Sequence, residues 1–285
     1  MPRKPPAGGE FVDAAGRRLH HLDRPGAGVP IVMIHGMPGL AHDFDGVADL
    51  LEGQRLIAFD RPGYGHSGGK PASFEEQVEA IRAALRVLRV DRAILIGHSF
   101  GGLIALRLAA AYPDLVRGMV LVAPASGGTR VGRSRIRQAR LIRLIQRPLV
   151  RQIADLLFLR ALRKFAAEQG ARVAYGAGAE GAAARHRALA LLARHDNIAA
   201  LMNDRIHFND NEARVWDSLP GIVVPAIIVH GAQDTVVSAR RGRRVAERLP
   251  DAEIRVVEGN HVLPAHDPSS VADAAMDMLR RISDK

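Results

Sequence analysis

Ala93-Ile94-Leu95-Ile96-Gly97-His98-Ser99-Phe100-Gly101-Gly102 is the stretch on which the fold turns. An apolar run without alternation meets the pattern G-x-S-x-G, and Phe100 to Tyr112 then continues apolar on nearly every side. Such a run reads as a strand buried on both faces of a parallel sheet, and residues 100–112 read as a buried helix. Glycines at 97 and 101 suit a tight strand-to-helix turn, where bulky neighbours would collide. The turn leaves the Ser99 hydroxyl at a helix N-terminus, where free backbone N–H groups and the helix dipole favour a developing anion.

The same rhythm extends outward on both sides. Ile31–Ile34, Arg55–Phe59, Met119–Val122, Ala226–Val229 and Ile254–Val257 are further short apolar runs. Phe74–Leu88 and Val271–Ile282 carry helical spacing, and Phe11–Leu22 alternates around Asp13-Ala14-Ala15-Gly16 as a hairpin does. Arg24–Pro30 reads as a turn. The expected class is α/β: a mostly parallel central sheet with helices on both faces. Between Ser126 and Leu219 the strand rhythm stops for more than ninety residues rich in Ala, Arg and Leu. A structureless loop of that length is improbable, so the segment reads as a helical cap inserted into the fold. The expected division is a core of residues 1–125 and 220–285 with a cap at 126–219.

Polar chemistry gathers where the buried runs end, the edge at which open parallel sheets bind ligands. A serine nucleophile needs a base, and the base needs an orienting carboxylate. Asp234 follows the run at 226–229 and His261 follows the run at 254–257. The strand at 119–122 ends in Ala123-Pro124-Ala125-Ser126 and offers no rival carboxylate. His266 is the rival base, but His261 sits directly at a strand end after Gly259-Asn260, whereas His266 would start the last helix. His35-Gly36-Met37-Pro38-Gly39 follows the first parallel strand. Its Met37 N–H, with that of Phe100, would make a two-donor oxyanion hole, and Pro38 has no N–H to offer. His35 reads as a residue holding this loop rather than as a catalytic one.

Together these residues, with Asp60-Arg61-Pro62-Gly63-Tyr64-Gly65-His66-Ser67, resemble the α/β-hydrolase fold family, from about residue 10 to 125 and 220 to 282. The Asp60–Ser67 stretch is similar to that of epoxide hydrolases, dehalogenases, haloperoxidases and small esterases. The first two use an aspartate where this chain has Ser99; a serine alkyl ether would give water no ester carbonyl to attack. The resemblance implies a serine hydrolase acting on a small ester, lactone or related acyl substrate through an acyl-enzyme. Ser99, His261 and Asp234 would be the triad, Gly97, His98 and Gly101 the elbow, and no cofactor or metal would be required. C–C bond hydrolysis and cofactor-free perhydrolase or haloperoxidase chemistry are the alternatives. His98 and Met37-Pro38 depart from the C–C hydrolase pattern. Leu40-Ala41-His42-Asp43 lacks the aromatic residue common in haloperoxidases. A non-catalytic ligand receptor on the same scaffold is the reading from another class.

Composition excludes several other classes. The 285 residues are 47% apolar and 25% charged, with no cysteine, which removes disulfide scaffolds, thiolate nucleophiles and Cys-ligated zinc. No apolar stretch reaches the roughly 18–20 residues of a membrane span. Met1–Phe11 lacks the apolar core of a signal peptide, so the expected compartment is the cytoplasm. The net charge is +10, and residues 130–164 alone hold eleven basic residues against Asp155. Arg133, Arg137, Arg140, Arg143, Arg147 and Arg151 recur at helical spacing beside Ile142, Ile145, Leu149, Ile153 and Leu156. The favoured reading is a cap with a solvated Arg face and an apolar side over the site. Contact with a membrane surface or guidance of an anionic substrate is less favoured. Nucleic-acid binding is not expected, since it would leave the triad pattern a coincidence; the oligomeric state is not legible.

Overall fold

The computed structural model describes residues 9–127, 189 and 194–283. Among them, the strands are β1 (Glu10–Ala14), β2 (Arg17–Arg24), β3 (Ala27–Ile34), β4 (Gln54–Phe59), β5 (Ala93–His98), β6 (Val116–Val122), β7 (Ala226–Gly231) and β8 (Ala252–Val257). They form one sheet in the order β1-β2-β4-β3-β5-β6-β7-β8, parallel from β4 to β8. The hairpin β1–β2 pairs antiparallel at one end. Its two-residue turn is Ala15-Gly16, both at positive φ, which matches the twist of the flanking strands.

Each of the short apolar runs of the sequence is a strand, and the pleat sorts the side chains into two cores; the run at 254–257, expected to be buried on both faces, is instead the half-exposed edge strand β8. Val32, Ile34, Ile57, Phe59, Leu95 and Leu121 face one side, with α2 (Phe74–Val87) and α3 (Phe100–Ala111). Ile31, Met33, Leu56, Ala58, Ile94 and Ile96 face the other, under α1 (Asp45–Leu50) and α7 (Pro268–Ser283). Burying each of the larger of these side chains is worth about 1.5–3 kcal/mol, so both faces pin the register. Ser73 starts α2 with a reciprocal cap, accepting from the Glu76 N–H while Glu76 accepts from the Ser73 N–H.

Two local expectations need correction, and one helix answers to none. Arg24–Pro30 is only partly a turn: β3 begins at Ala27, with irregular pairing to β4 until Ile31, and Pro30 falls in that irregular part. His266 does not start the last helix; it ends the one-turn α6 (Leu263–His266) that precedes α7. α5 (Ala239–Ala246) packs on β7 and β8 although its sequence carries no apolar helical period. Of the expected cap, residues 195–218 form α4 (His195–Ser218), which packs on α2 and α3. The Arg133–Arg151 stripe and its apolar partners lie outside the described residues. No helix among the described residues is long and apolar enough to cross a membrane.

Candidate active site

Parallel strands put their carboxyl ends on one edge, and Ser99, His98, Asp234 and His261 meet there. Ser99 sits between β5 and α3 at φ +50°, a strained conformation for a side-chain-bearing residue. Three backbone hydrogen bonds hold it: its N–H donates to Val122 O, and its carbonyl accepts from the N–H groups of Gly102 and Ala125. The glycines around it are obligatory. A Cβ on Gly101 would stand 2.0 Å from the carbonyl oxygen of Ile34, and one on Gly97 2.6 Å from that of Gly101.

The Ser99 hydroxyl meets His261 Nε2 at 3.0 Å, and His261 Nδ1–H donates to Asp234 Oδ2 at 2.7 Å. The carboxylate fixes the tautomer and leaves Nε2 free to accept. Asp234 Oδ1 accepts the N–H groups of Val236 and Val237, both at 2.8 Å. Burial alone would raise the Asp234 carboxyl. Hydrogen bonds from His230, His261 and the Val237 N–H outweigh it and hold the group well below the usual carboxylate range. His230 carries no role in the sequence pattern. Its Nε2 lies 2.6 Å from Val237 O and 3.3 Å from Asp234 Oδ2, so a second imidazole faces the same carboxylate oxygen. The only signal for it is its position four residues before Asp234.

His98, the variable residue of the elbow, is buried with its Nε2 against the carbonyl oxygen of His261 at 2.9 Å. The neighbour of Ser99 thus anchors the backbone of His261. Burial and the adjacent His261 push the His98 imidazole down to about 3, so it stays neutral. The N–H groups of Met37, on the facing loop, and of Phe100, at the start of α3, meet no acceptor among the described residues. His35 is fully buried: Nδ1–H donates to the Gly36 carbonyl at 2.9 Å and Nε2 accepts the Arg61 N–H at 2.9 Å. Burial, then Arg61, lowers it to about 3 as well. These bonds tie His35 to its own loop and to the Arg61 backbone. Gly36 lies close under the elbow, where a Cβ would stand 2.9 Å from His98 Nδ1. Gly39 is wedged between His35 and Asp43, and Met37–Pro38 is a cis peptide. The hydrogen bonds to Ser99 and Asp234 come from His261, not from His266, whose Nε2 is buried without a described partner.

Two buried polar clusters beside the site are not legible from sequence. Asp60, beyond β4, accepts from His20 Nδ1–H at 2.8 Å and from the N–H groups of Ala41 and His66. Arg61 points the other way, into a cluster with Tyr64, Gln77 and Asp204. No motif could have found Asp204, which is 143 residues from its partner.

A family model described as alpha/beta hydrolase fold matches residues 29–268. The chain is 37% identical over 132 residues to 2-hydroxymuconate semialdehyde hydrolase of Pseudomonas sp. strain CF600; the match spans 44% of this chain and less than half, 46%, of that relative. An esterase from Exiguobacterium antarcticum superposes with TM-score 0.75 at 22% identity, covering 95% of this chain and 99% of the other. A haloalkane dehalogenase from Agrobacterium tumefaciens C58 does so with TM-score 0.78 at 18% identity, covering 96% of each. At those identities the two structures speak for the shared fold alone.

Proposed function

The chain belongs to the α/β-hydrolase fold family, and on that premise we propose that it is a serine hydrolase cleaving a small carboxylic ester, lactone or related acyl substrate. The observation that carries this reading is His261 lying between the Ser99 hydroxyl and the Asp234 carboxylate. Ser99 Oγ attacks the carbonyl carbon while its proton passes to His261 Nε2. Asp234 stabilises the imidazolium that forms. The carbonyl oxygen becomes an oxyanion held by the N–H groups of Met37 and Phe100. The bond to the leaving alkoxide then breaks, and His261 returns the proton to that oxygen. Water, deprotonated by His261, attacks the acyl-enzyme and releases the acid and free Ser99. No step calls for a cofactor. The core is residues 1–125 and 220–285, residues 126–219 are the cap, and the partner is a small acyl substrate met in the cytoplasm.

C–C bond hydrolysis is the second reading, favoured by the match to a 2-hydroxymuconate semialdehyde hydrolase over 132 residues. A panel of p-nitrophenyl esters of graded acyl length, run beside a vinylogous 1,5-diketone, separates the two. Turnover of esters by the wild type and its loss in Ser99→Ala supports the proposal. Turnover of the diketone alone moves the chemistry to carbon–carbon cleavage. No turnover of either leaves a ligand receptor.

A further inference from the structure

Arg61 heads the fully buried side chains of the described fold. A guanidinium out of water is costly unless its hydrogens and charge are matched. Nη1 donates to Asp204 Oδ2 at 2.9 Å and to Gln77 Oε1. Nη2 donates to the Gly36 carbonyl at 2.8 Å. The guanidinium plane lies over the rings of Tyr64 and Phe100, with Cζ 4.3 and 4.7 Å from their centroids. Asp204 is equally engaged, since Oδ2 also accepts the Tyr64 hydroxyl at 2.8 Å and Oδ1 accepts Gln77 Nε2–H at 2.7 Å.

The Gly36 carbonyl belongs to the same peptide unit as the Met37 N–H. A trans peptide points its N–H opposite to its C=O. Whatever fixes that oxygen therefore aims that hydrogen. Gly36 O accepts two donors, His35 Nδ1–H and the charged Arg61 Nη2–H, so both of its lone pairs are used. A cationic donor on the carbonyl also polarises the peptide, making its N–H a stronger donor. Phe100, whose N–H is the other candidate donor, rests its ring on the same guanidinium.

We propose that Arg61 is a positioning residue for the oxyanion hole, and that Asp204 sets it from α4, so that this one ion pair, and not the other contacts of the helix, determines how well the Met37 N–H is aimed. This rests on the serine-hydrolase reading above. It adds that α4, the helix returning from the inserted segment, contributes to catalysis through a buried ion pair rather than only covering the site. Other ties between α4 and the stretch from Gly65 to Ala72 avoid Arg61: Asn197 Oδ1 accepts the Gly65 N–H at 2.7 Å, Asp196 Oδ2 accepts the Gly69 N–H at 3.3 Å, and Asn203 Nδ2–H donates to Ala72 O at 2.8 Å.

The test compares four variants on a p-nitrophenyl ester, each assayed well below its own melting temperature. Asp204→Asn and Arg61→Lys should lower kcat about 10- to 100-fold, less than the loss of a whole oxyanion donor, with KM within about threefold. The inhibition constant of a trifluoromethyl ketone, which forms an oxyanion on the serine, should rise in step with the fall in kcat/KM. Asn197→Ala loosens α4 without touching Arg61; it should lower melting temperature and leave kcat within about twofold. The double variant Arg61→Met/Asp204→Leu removes both charges, so it should recover the stability that Asp204→Asn loses. It should not recover kcat. Should the single variants not fold, that double variant decides alone. A double variant with wild-type kcat, or Asn197→Ala losing kcat as much as Asp204→Asn, overturns the proposal. If Ser99→Ala hydrolyses the ester as fast as the wild type, the serine-hydrolase reading itself is wrong, a result distinct from these.

Discussion

Two histidine–carboxylate pairs are built on carboxylates that stand beyond strand ends of this sheet, and they are nearly the same object. His261 Nδ1 meets Asp234 Oδ2 at 2.7 Å, and His20 Nδ1 meets Asp60 Oδ2 at 2.8 Å. In each, the other carboxylate oxygen accepts backbone N–H, from Val236 and Val237 at Asp234 and from Ala41 at Asp60. Each carboxyl is held below its ordinary value by these partners, against the opposing effect of burial. What differs is the far nitrogen. His261 Nε2 reaches the Ser99 hydroxyl, whereas His20 Nε2 is buried without a described partner and backs onto Gly9. An oriented imidazole is therefore not enough for catalysis; the same device fastens a hairpin strand to the Asp60–Ser67 loop when no nucleophile faces it. A shifted carboxylate and a bound histidine mark a candidate, and the third group decides.

The largest expected effects separate the two pairs. His261→Ala and Ser99→Ala should each remove ester turnover by about a thousand-fold or more, with melting temperature little changed. His20→Gln should do the reverse. It leaves a buried carboxylate short of one donor, which costs about 1–3 kcal/mol in a urea titration, while kcat stays within about threefold. A collapse of kcat in His20→Gln at full stability would break the distinction. Asp234→Asn should lower kcat by up to about 10⁴-fold, since the amide cannot hold the imidazole tautomer or its cation.

Acid stability sharpens the contrast further. His35 and His98 donate to carbonyls rather than to carboxylates, and burial lowers both to about 3 from an ordinary 6.5. The unfolded chain thus binds more protons than the folded one between about pH 3 and 6.5. Stability should be intact above that window and fall on acidification through it, by about 1.4 kcal/mol per pH unit for each histidine. Urea midpoints from pH 7 to 4 measure the slope, and His98→Asn should flatten it. The smallest effect belongs to His266→Ala, which should keep kcat within about twofold, because the Ser99 hydroxyl is bonded to His261 and not to His266.

Much of this is legible in sequence because it is local. Buried runs such as Ala93–Ile96 and Ala226–Val229 have no polar alternation, so they read as strands packed on both faces. Ser99, Asp234 and His261 each follow such a run closely, and the pentapeptide at 97–101 names its own turn. α5 is hidden because Arg240, Arg241, Arg243 and Arg244 leave only Gly242 and Val245 buried, too few for a helical period. The Arg61 cluster is hidden for a different reason. A motif shows Arg61 but not which of the chain's 30 acids will neutralise it, and Asp204 arrives only when α4 docks on the core. His20 likewise reads as one more residue of an alternating strand until Asp60 folds against it.

The central claim is that Ser99 alone is activated, by His261. Incubation of the folded protein with a fluorophosphonate, followed by peptide mass spectrometry, tests it most directly. The account predicts one adduct, on Ser99, with labelling slowed at least about a hundred-fold in His261→Ala and unchanged in His20→Gln. An adduct on any other serine, or none on folded wild-type protein, would contradict it.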